Sequence, residues 1–342
     1  MLYFIWYGIH GPAKRMGLQS AMRKDGFLMP TTLSIGALTA EPGQKVRGFL
    51  PVPGTPVQMP TTLINGAKDG RRVVITGGTH GGEYPGVETA IRLAAQLDPA
   101  AVSGQIIVVH PVNVPAFFAR MQYIGPYDGK NLNRCYPGRA TGTVSERIAY
   151  YVMNELMMGS DFYMDLHGGD LHEWLTPFVL YPMTGTEEVA RISREAASCL
   201  GLPYVVGSWG TNGTIGAAAV AGVPGFLCEI GCRGLWNEAE VKQYMDGVNN
   251  VLRHLSVLPG VAANLGSCVY MERMTGVNAG VTGCWYPCVE PDEQVEAGQK
   301  LGEIRDLFGE VLETYIAPKN GVVLYVISSL AVEAGDPIAA VG

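Results

Sequence analysis

Short apolar runs recur along the chain, and several close on glycine, histidine or glutamate. RRVVITGG (71–78), QIIVVHPVN (105–113), DFYMDLHGG (161–169) and PGFLCEIG (224–231) are short and apolar, and each predicts a buried strand. Between them lie stretches with apolar residues at helical spacing: GVETAIRLAAQL (86–97), SERIAYYVMNELM (145–157), EEVARISREAASCLG (187–201) and EAEVKQYMDGVNNVLRHL (238–255). Strands alternating with helices predict an α/β fold, a mixed, mostly parallel sheet with helices on both faces.

The pattern changes near residue 258. Beyond it come glycine-punctuated β segments and no helix. VEAGQKLGEI (295–304) aligns with VEAGDPIAAV (332–341) at an offset of 37. Val295/Val332, Gly298/Gly335, Leu301/Ile338 and Ile304/Val341 coincide, which predicts a small pseudo-symmetric β sandwich. The expected organisation is an α/β domain over 29–257 and a β domain over 258–342. Residues 1–28 read as a poorly ordered extension, or the product of a start codon placed too far upstream. LYFIWYGI is too short to span a bilayer, and its basic residues follow the apolar run, which suits a signal peptide poorly.

Composition narrows the function. Of 342 residues 47% are hydrophobic, and 24 Lys and Arg against 31 Asp and Glu leave a net charge of −7. No basic cluster appears, so neither nucleic acid nor an anionic membrane is expected as partner. Seven cysteines without a CxxC pair fit reduced thiols in a cytoplasm. Cys284 and Cys288 read as buried apolar thiols rather than metal ligands.

The chemistry sits at strand ends. In GGTHGGEYPG (77–86), His80 and Glu83 follow a strand and are wrapped in glycine. Ligands of open α/β sheets bind outside the carboxyl ends of the strands. An imidazole beside a carboxylate suits zinc, which uses three protein ligands in catalytic sites. His167, in LHGGD, has the same strand-then-glycine setting and is the better third ligand; His110 and His172 compete less well. Glu229 ends an apolar run, where a carboxylate is costly unless paired or used. It reads as a proton acceptor near a metal-activated water, the alternative being a carboxylate satisfied by backbone N–H groups. Asn133 and Arg134 read as holders of a substrate carboxylate, or else as a turn asparagine beside a solvated arginine.

GTHGGEYPG, NLNR, DLHGG and CEIG, in this order, resemble the succinylglutamate desuccinylase/aspartoacylase family, relatives of the zinc carboxypeptidases. The resemblance runs from about residue 45 to the C-terminus. It implies one zinc per chain on His80, Glu83 and His167, with Glu229 as general base and acid. It also implies Asn133 and Arg134 as carboxylate binders, and hydrolysis of the amide bond of a small N-acyl amino acid. DGKNLNRCYPG looks most like members that deacylate small N-acylated amino acids, N-acetyl-diaminobutyrate deacetylase among them. Such members usually carry a carbonyl-polarising arginine shortly before NLNR. Gln122 takes that place here, with Arg120 two residues earlier as the other candidate donor. The C-terminal domain of the family resembles the barrel-sandwich fold of biotinyl and lipoyl carriers. The equivalent turn, RDLFGE (305–310), has no lysine, and Lys319 lies outside it. That domain is therefore expected to cover the site, and an exposed β domain would suit a homo-oligomer. The rival readings are a metallocarboxypeptidase acting on peptides and a homologue that binds zinc and carboxylate without turnover.

Overall fold

Alternate residues of the central apolar runs enter two different cores, one on each side of a nine-stranded sheet. This is the arrangement in a computed structural model that describes residues 31–342. The extension expected over residues 1–28 lies outside the described residues. Across the sheet the strands run Val269–Met271, Tyr204–Ser208, Phe178–Pro182, Gly225–Glu229, Phe162–His167, Lys68–Gly77, Ser103–Val109, Gln58–Asn65 and Lys45–Pro51. Three neighbouring pairs are antiparallel: 178–182 with 225–229, 103–109 with 58–65, and 58–65 with 45–51. The remaining pairs are parallel, so the sheet is mixed and mostly parallel.

Val73, Ile75, Ile106 and Val108 face one core, shared with Leu93, Ala196 and Val251. Those three come from the helices Tyr84–Gln96, Glu187–Ser198 and Glu238–His254. Val74, Ile107 and Val109 face the other, shared with Ile148, Leu156 and Ala218. A strand buried on both faces must be apolar throughout, which is why these runs show no polar alternation. The helix expected over 145–157 begins as Val144–Tyr151 and continues with π-type winding over Val152–Met157.

The first helix crosses the sheet unusually closely. A Cβ on Gly86 would lie 2.3 Å from the carbonyl oxygen of Leu166, on the strand that carries His167. Gly86→Ala is expected to cost about 1–3 kcal/mol, as overpacked sites do. A lowered midpoint of urea unfolding would report it, and an unchanged midpoint would mean that the helix can retreat freely.

The C-terminal segments form two further sheets around Trp285, Leu301 and Ile338. The repeat is structural. Gly298 and Gly335 both turn the chain at positive φ, 88° and 100°. Glu296 N–H donates to the Gln299 side chain, and Glu333 N–H to Asp336 at the matching position. Strands are exchanged across residue 258. Val269–Met271 extends the nine-stranded sheet, and Glu173–Leu175 pairs with Gly321–Ile327 of the C-terminal sheet. Leu307 and Phe308 are exposed at the hairpin tip, and Lys319 Nζ donates to the Arg273 carbonyl at 3.0 Å.

The expectation that Cys284 and Cys288 are buried does not hold: Cys284 is half-buried and Cys288 exposed. Trp285 points inward on Gly283–Pro287, so the two-residue period turns Cys284 outward. All seven thiols are free. No described helix is long and apolar enough to cross a membrane.

Candidate active site

His80, Glu83 and His167 meet at the carboxyl ends of two adjacent strands. Strand Lys68–Gly77 runs into a glycine turn, with Gly78 at φ +72°, and the turn delivers His80 and then Glu83. Glu83 is the N-cap residue of the helix Tyr84–Gln96, yet its side chain makes no capping hydrogen bond. It turns instead to the histidines, Oε1 lying 2.6 Å from His80 Nδ1 and Oε2 2.9 Å from His167 Nδ1. The imidazoles stand edge to face, with ring centres 4.9 Å apart. One donor atom from each of the three residues lies within 4.8 Å of the others, the only such grouping of metal-ligating side chains among the described residues. His110 instead contacts Thr62 Oγ1 at 3.1 Å, and His172 is exposed.

The far nitrogens are also held. His167 Nε2 lies 2.9 Å from Asp165 Oδ2, and His80 Nε2 lies 3.0 Å from Asn131 Oδ1. The Asn131 oxygen already accepts the Asn133 backbone N–H, so His80 must donate to it. Asp165 is fully buried and also accepts from Thr76 and Thr79 hydroxyls, which orients it towards His167. In their neutral form both imidazoles would carry the proton on Nε2 and offer Nδ1, on the Glu83 side, to a metal. Glu83 Oε2 is buried there, and His167 Nδ1, although near, gives it no hydrogen bond of acceptable geometry. Two imidazole nitrogens and a buried carboxylate within 4.8 Å of one another form a donor set that fits zinc. Metal-free, the cluster holds protons instead. Burial alone would lower His167, but Glu83 and Asp165 outweigh it and raise the imidazole well above its ordinary value. Burial alone would raise Glu83, but the two histidines hold the carboxyl down at about 2.

Asp165 is the support whose loss is most readable. Asp165→Asn is expected to weaken zinc binding about 10- to 100-fold, which a competition titration with a chromogenic chelator measures. Unchanged affinity would show that His167 needs no anchor.

Glu229 stands opposite His167 in the register of paired parallel strands. Burial pushes it well above the usual carboxylate range, with Glu83 and Glu173 adding to the push and His167 opposing it. Its Oε2 is enclosed and has no hydrogen-bond partner among the described residues. Asn133 Oδ1 accepts the Thr214 backbone N–H at 2.9 Å, leaving its Nδ2 free to donate. Arg134 is exposed and makes no ion pair among the described residues.

These six residues line one cavity of about 600 Å³. Met274, Tyr325, Asp336 and Pro337 of the C-terminal segments line it as well, so those segments wall the site. Arg120 and Gln122 are not brought to it. Arg120 ends the helix Val114–Ala119 in a left-handed conformation and points to solvent, and Gln122 is half-buried outside the lining. The next residue, Tyr123, takes the wall. Its ring meets His80 edge to face at 5.8 Å, and its hydroxyl donates to Glu173 Oε1 at 2.5 Å. Tyr123 holds φ +53°, a conformation uncommon for a side chain of this size, and its N–H is anchored on Asp170 Oδ2 at 2.7 Å. Sequence reasoning missed Asn131, Tyr123 and Glu173. NLNR already contained Asn131, but nothing in the motif shows that its oxygen reaches a histidine 51 residues earlier.

The model of the succinylglutamate desuccinylase/aspartoacylase catalytic domain matches residues 69–255. The chain is 28% identical over 294 residues to N-alpha-acetyl-L-2,4-diaminobutyric acid deacetylase of Halomonas elongata, covering 83% of this chain and 85% of that one. A succinylglutamate desuccinylase/aspartoacylase from Rhodobacter sphaeroides superposes with a TM-score of 0.77 at 27% identity, covering 87% of this chain and 94% of that one. The product-bound ectoine utilization protein EutE (DoeB) from Ruegeria pomeroyi superposes with a TM-score of 0.79 at 27% identity, covering 87% and 95%.

Proposed function

Because the chain belongs to the succinylglutamate desuccinylase/aspartoacylase family, we propose that it is a zinc-dependent hydrolase of small N-acyl amino acids, releasing a carboxylic acid and an amino acid. The observation that carries this reading is the convergence of His80 Nδ1, His167 Nδ1 and the buried Glu83 carboxylate, with Glu229 opposite His167 in the strand register. His80, Glu83 and His167 would hold the metal. Zinc bound there would supply Lewis acidity towards water and the acyl carbonyl.

Glu229 takes the proton of the attacking water and returns it to the departing amine. Burial suits it to both duties, because it raises the carboxylate's proton affinity. Arg134 pairs with the substrate carboxylate, and Asn133 Nδ2 adds a neutral donor beside it. Together they fix the acyl carbon relative to Glu229, so orientation contributes to rate. The wall supplied by Met274, Tyr325 and Asp336 favours a small substrate over a peptide, which would need an open cleft. The relative's activity on an N-acetyl diamino acid supports the same class.

Zinc-loaded protein assayed on a panel of N-acyl amino acids and short peptides tests the reading. Release of amino acid from the former and not the latter is expected. Peptide trimming alone would favour a carboxypeptidase, and no turnover on either would leave a binding protein. Arg134→Ala is expected to raise KM for carboxylate-bearing substrates roughly 10- to 100-fold with kcat changed much less. An equal fall in kcat and kcat/KM would place Arg134 at the reacting carbonyl instead.

A further inference from the structure

Four acids among the described residues line the cavity; Asp336 is exposed and accepts the Glu333 N–H, and Glu173 stands apart from the other two. Glu83 faces two imidazoles and Glu229 lies opposite His167. Glu173 has no lysine, arginine or histidine within ion-pair distance among the described residues. Among the described residues its only side-chain partner is the Tyr123 hydroxyl on Oε1, and Oε2 has none. A carboxylate so placed loses hydration without gaining a counter-charge. Burial pushes it up to about 7, against the opposing hydrogen bond from Tyr123.

Its position is built rather than incidental. Glu173 begins the short strand that is annealed to Gly321–Ile327, the strand that also carries Tyr325. Tyr325 lines the same cavity, and its hydroxyl has no hydrogen-bond partner among the described residues. Among the described residues Arg134 is the only arginine or lysine of the lining, and the substrate carboxylate claims it. Tyr123 meets His80 with its ring and Glu173 with its hydroxyl, so Glu173 faces the same cavity as the proposed metal ligands.

We infer that Glu173 is the specificity residue of this site, accepting the side-chain ammonium of an N-acyl diamino acid, with Tyr123 and Tyr325 beside it. The inference rests on the N-acyl amino acid reading above. The substrate's ammonium supplies the counter-charge that the chain withholds. A neutral side chain leaves the carboxylate bare and an anionic one repels it, so discrimination comes from an omission as much as from a contact.

The test compares Nα-acetyl-2,4-diaminobutyrate with its neutral isostere N-acetylnorvaline, on zinc-loaded enzyme near pH 8. The cationic substrate is expected to lead by roughly 10- to 100-fold in kcat/KM, the usual worth of a charged hydrogen bond. In Glu173→Gln that ratio is expected to fall to within about threefold of unity. Free 2,4-diaminobutyrate should also inhibit the unmodified enzyme more strongly than free norvaline, a comparison that needs no variant. Equal kcat/KM for the two substrates, equal inhibition by the two amino acids, or a folded Glu173→Gln enzyme that keeps the preference would overturn the role of Glu173 and leave the deacylase standing. Hydrolysis of no N-acyl amino acid would overturn both.

Discussion

Glu229→Gln is expected to lower kcat by about 10²- to 10⁴-fold, with bound zinc unchanged and KM within about threefold. The amide keeps the shape of the carboxylate and its place opposite His167, but it cannot take a proton. Glu229 touches none of the three proposed ligands through a hydrogen bond, so the metal set should survive its replacement. The same substitution is expected to hold or raise the stability of the metal-free protein near pH 8. The folded state raises Glu229 above its ordinary value, so its ionised form is disfavoured there. That penalty is absent below the ordinary carboxylate range and grows as pH rises above it. A slower enzyme with an equal or higher melting temperature would show stability given up for activity at this position. Retention of kcat within tenfold would remove Glu229 from the proton-transfer step.

Much of this arrangement could be read from the chain before any coordinates, for reasons that can be named. Strands buried on both faces must be continuously apolar, so 71–78, 105–113, 161–169 and 224–231 announced themselves. His80, Glu83, His167 and Glu229 were legible because a charged or metal-binding side chain at the end of such a run has few structural excuses. Thr214–Val220 was not legible as a helix. Its sequence, TIGAAAV, is small and almost wholly buried, so it shows no polar face and no amphipathic period. Phe178–Pro182 and Tyr204–Ser208 are short and carry little alternation. Arg120 and Gln122 were assigned from a motif offset. A positive-φ turn at Tyr123, pinned by Asp170, rotates the next side chain into the cavity instead. Such a rotation depends on a residue 47 positions away and leaves no local trace.

His167→Ala is expected to abolish stoichiometric zinc binding, taking metal content from about one ion per chain to near none, with activity falling alongside it. His80→Ala should behave alike, because each removes one of three converging donors. The pH dependence separates a metal site from a structural ion pair. In the metal-free protein the raised His167 contributes stability that is fully present below the ordinary imidazole value and is lost as pH rises through its higher folded value. Zinc needs the same Nδ1 deprotonated, so the bound form gains as pH rises. The melting temperature of zinc-loaded protein should therefore exceed that of chelator-treated protein by a margin that widens between pH 6 and 8. In His167→Ala the margin should vanish at every pH, since ligand-linked stabilisation requires ligand. A margin that stayed constant across that range, or survived in the variant, would place the ion somewhere other than between these two imidazoles and Glu83.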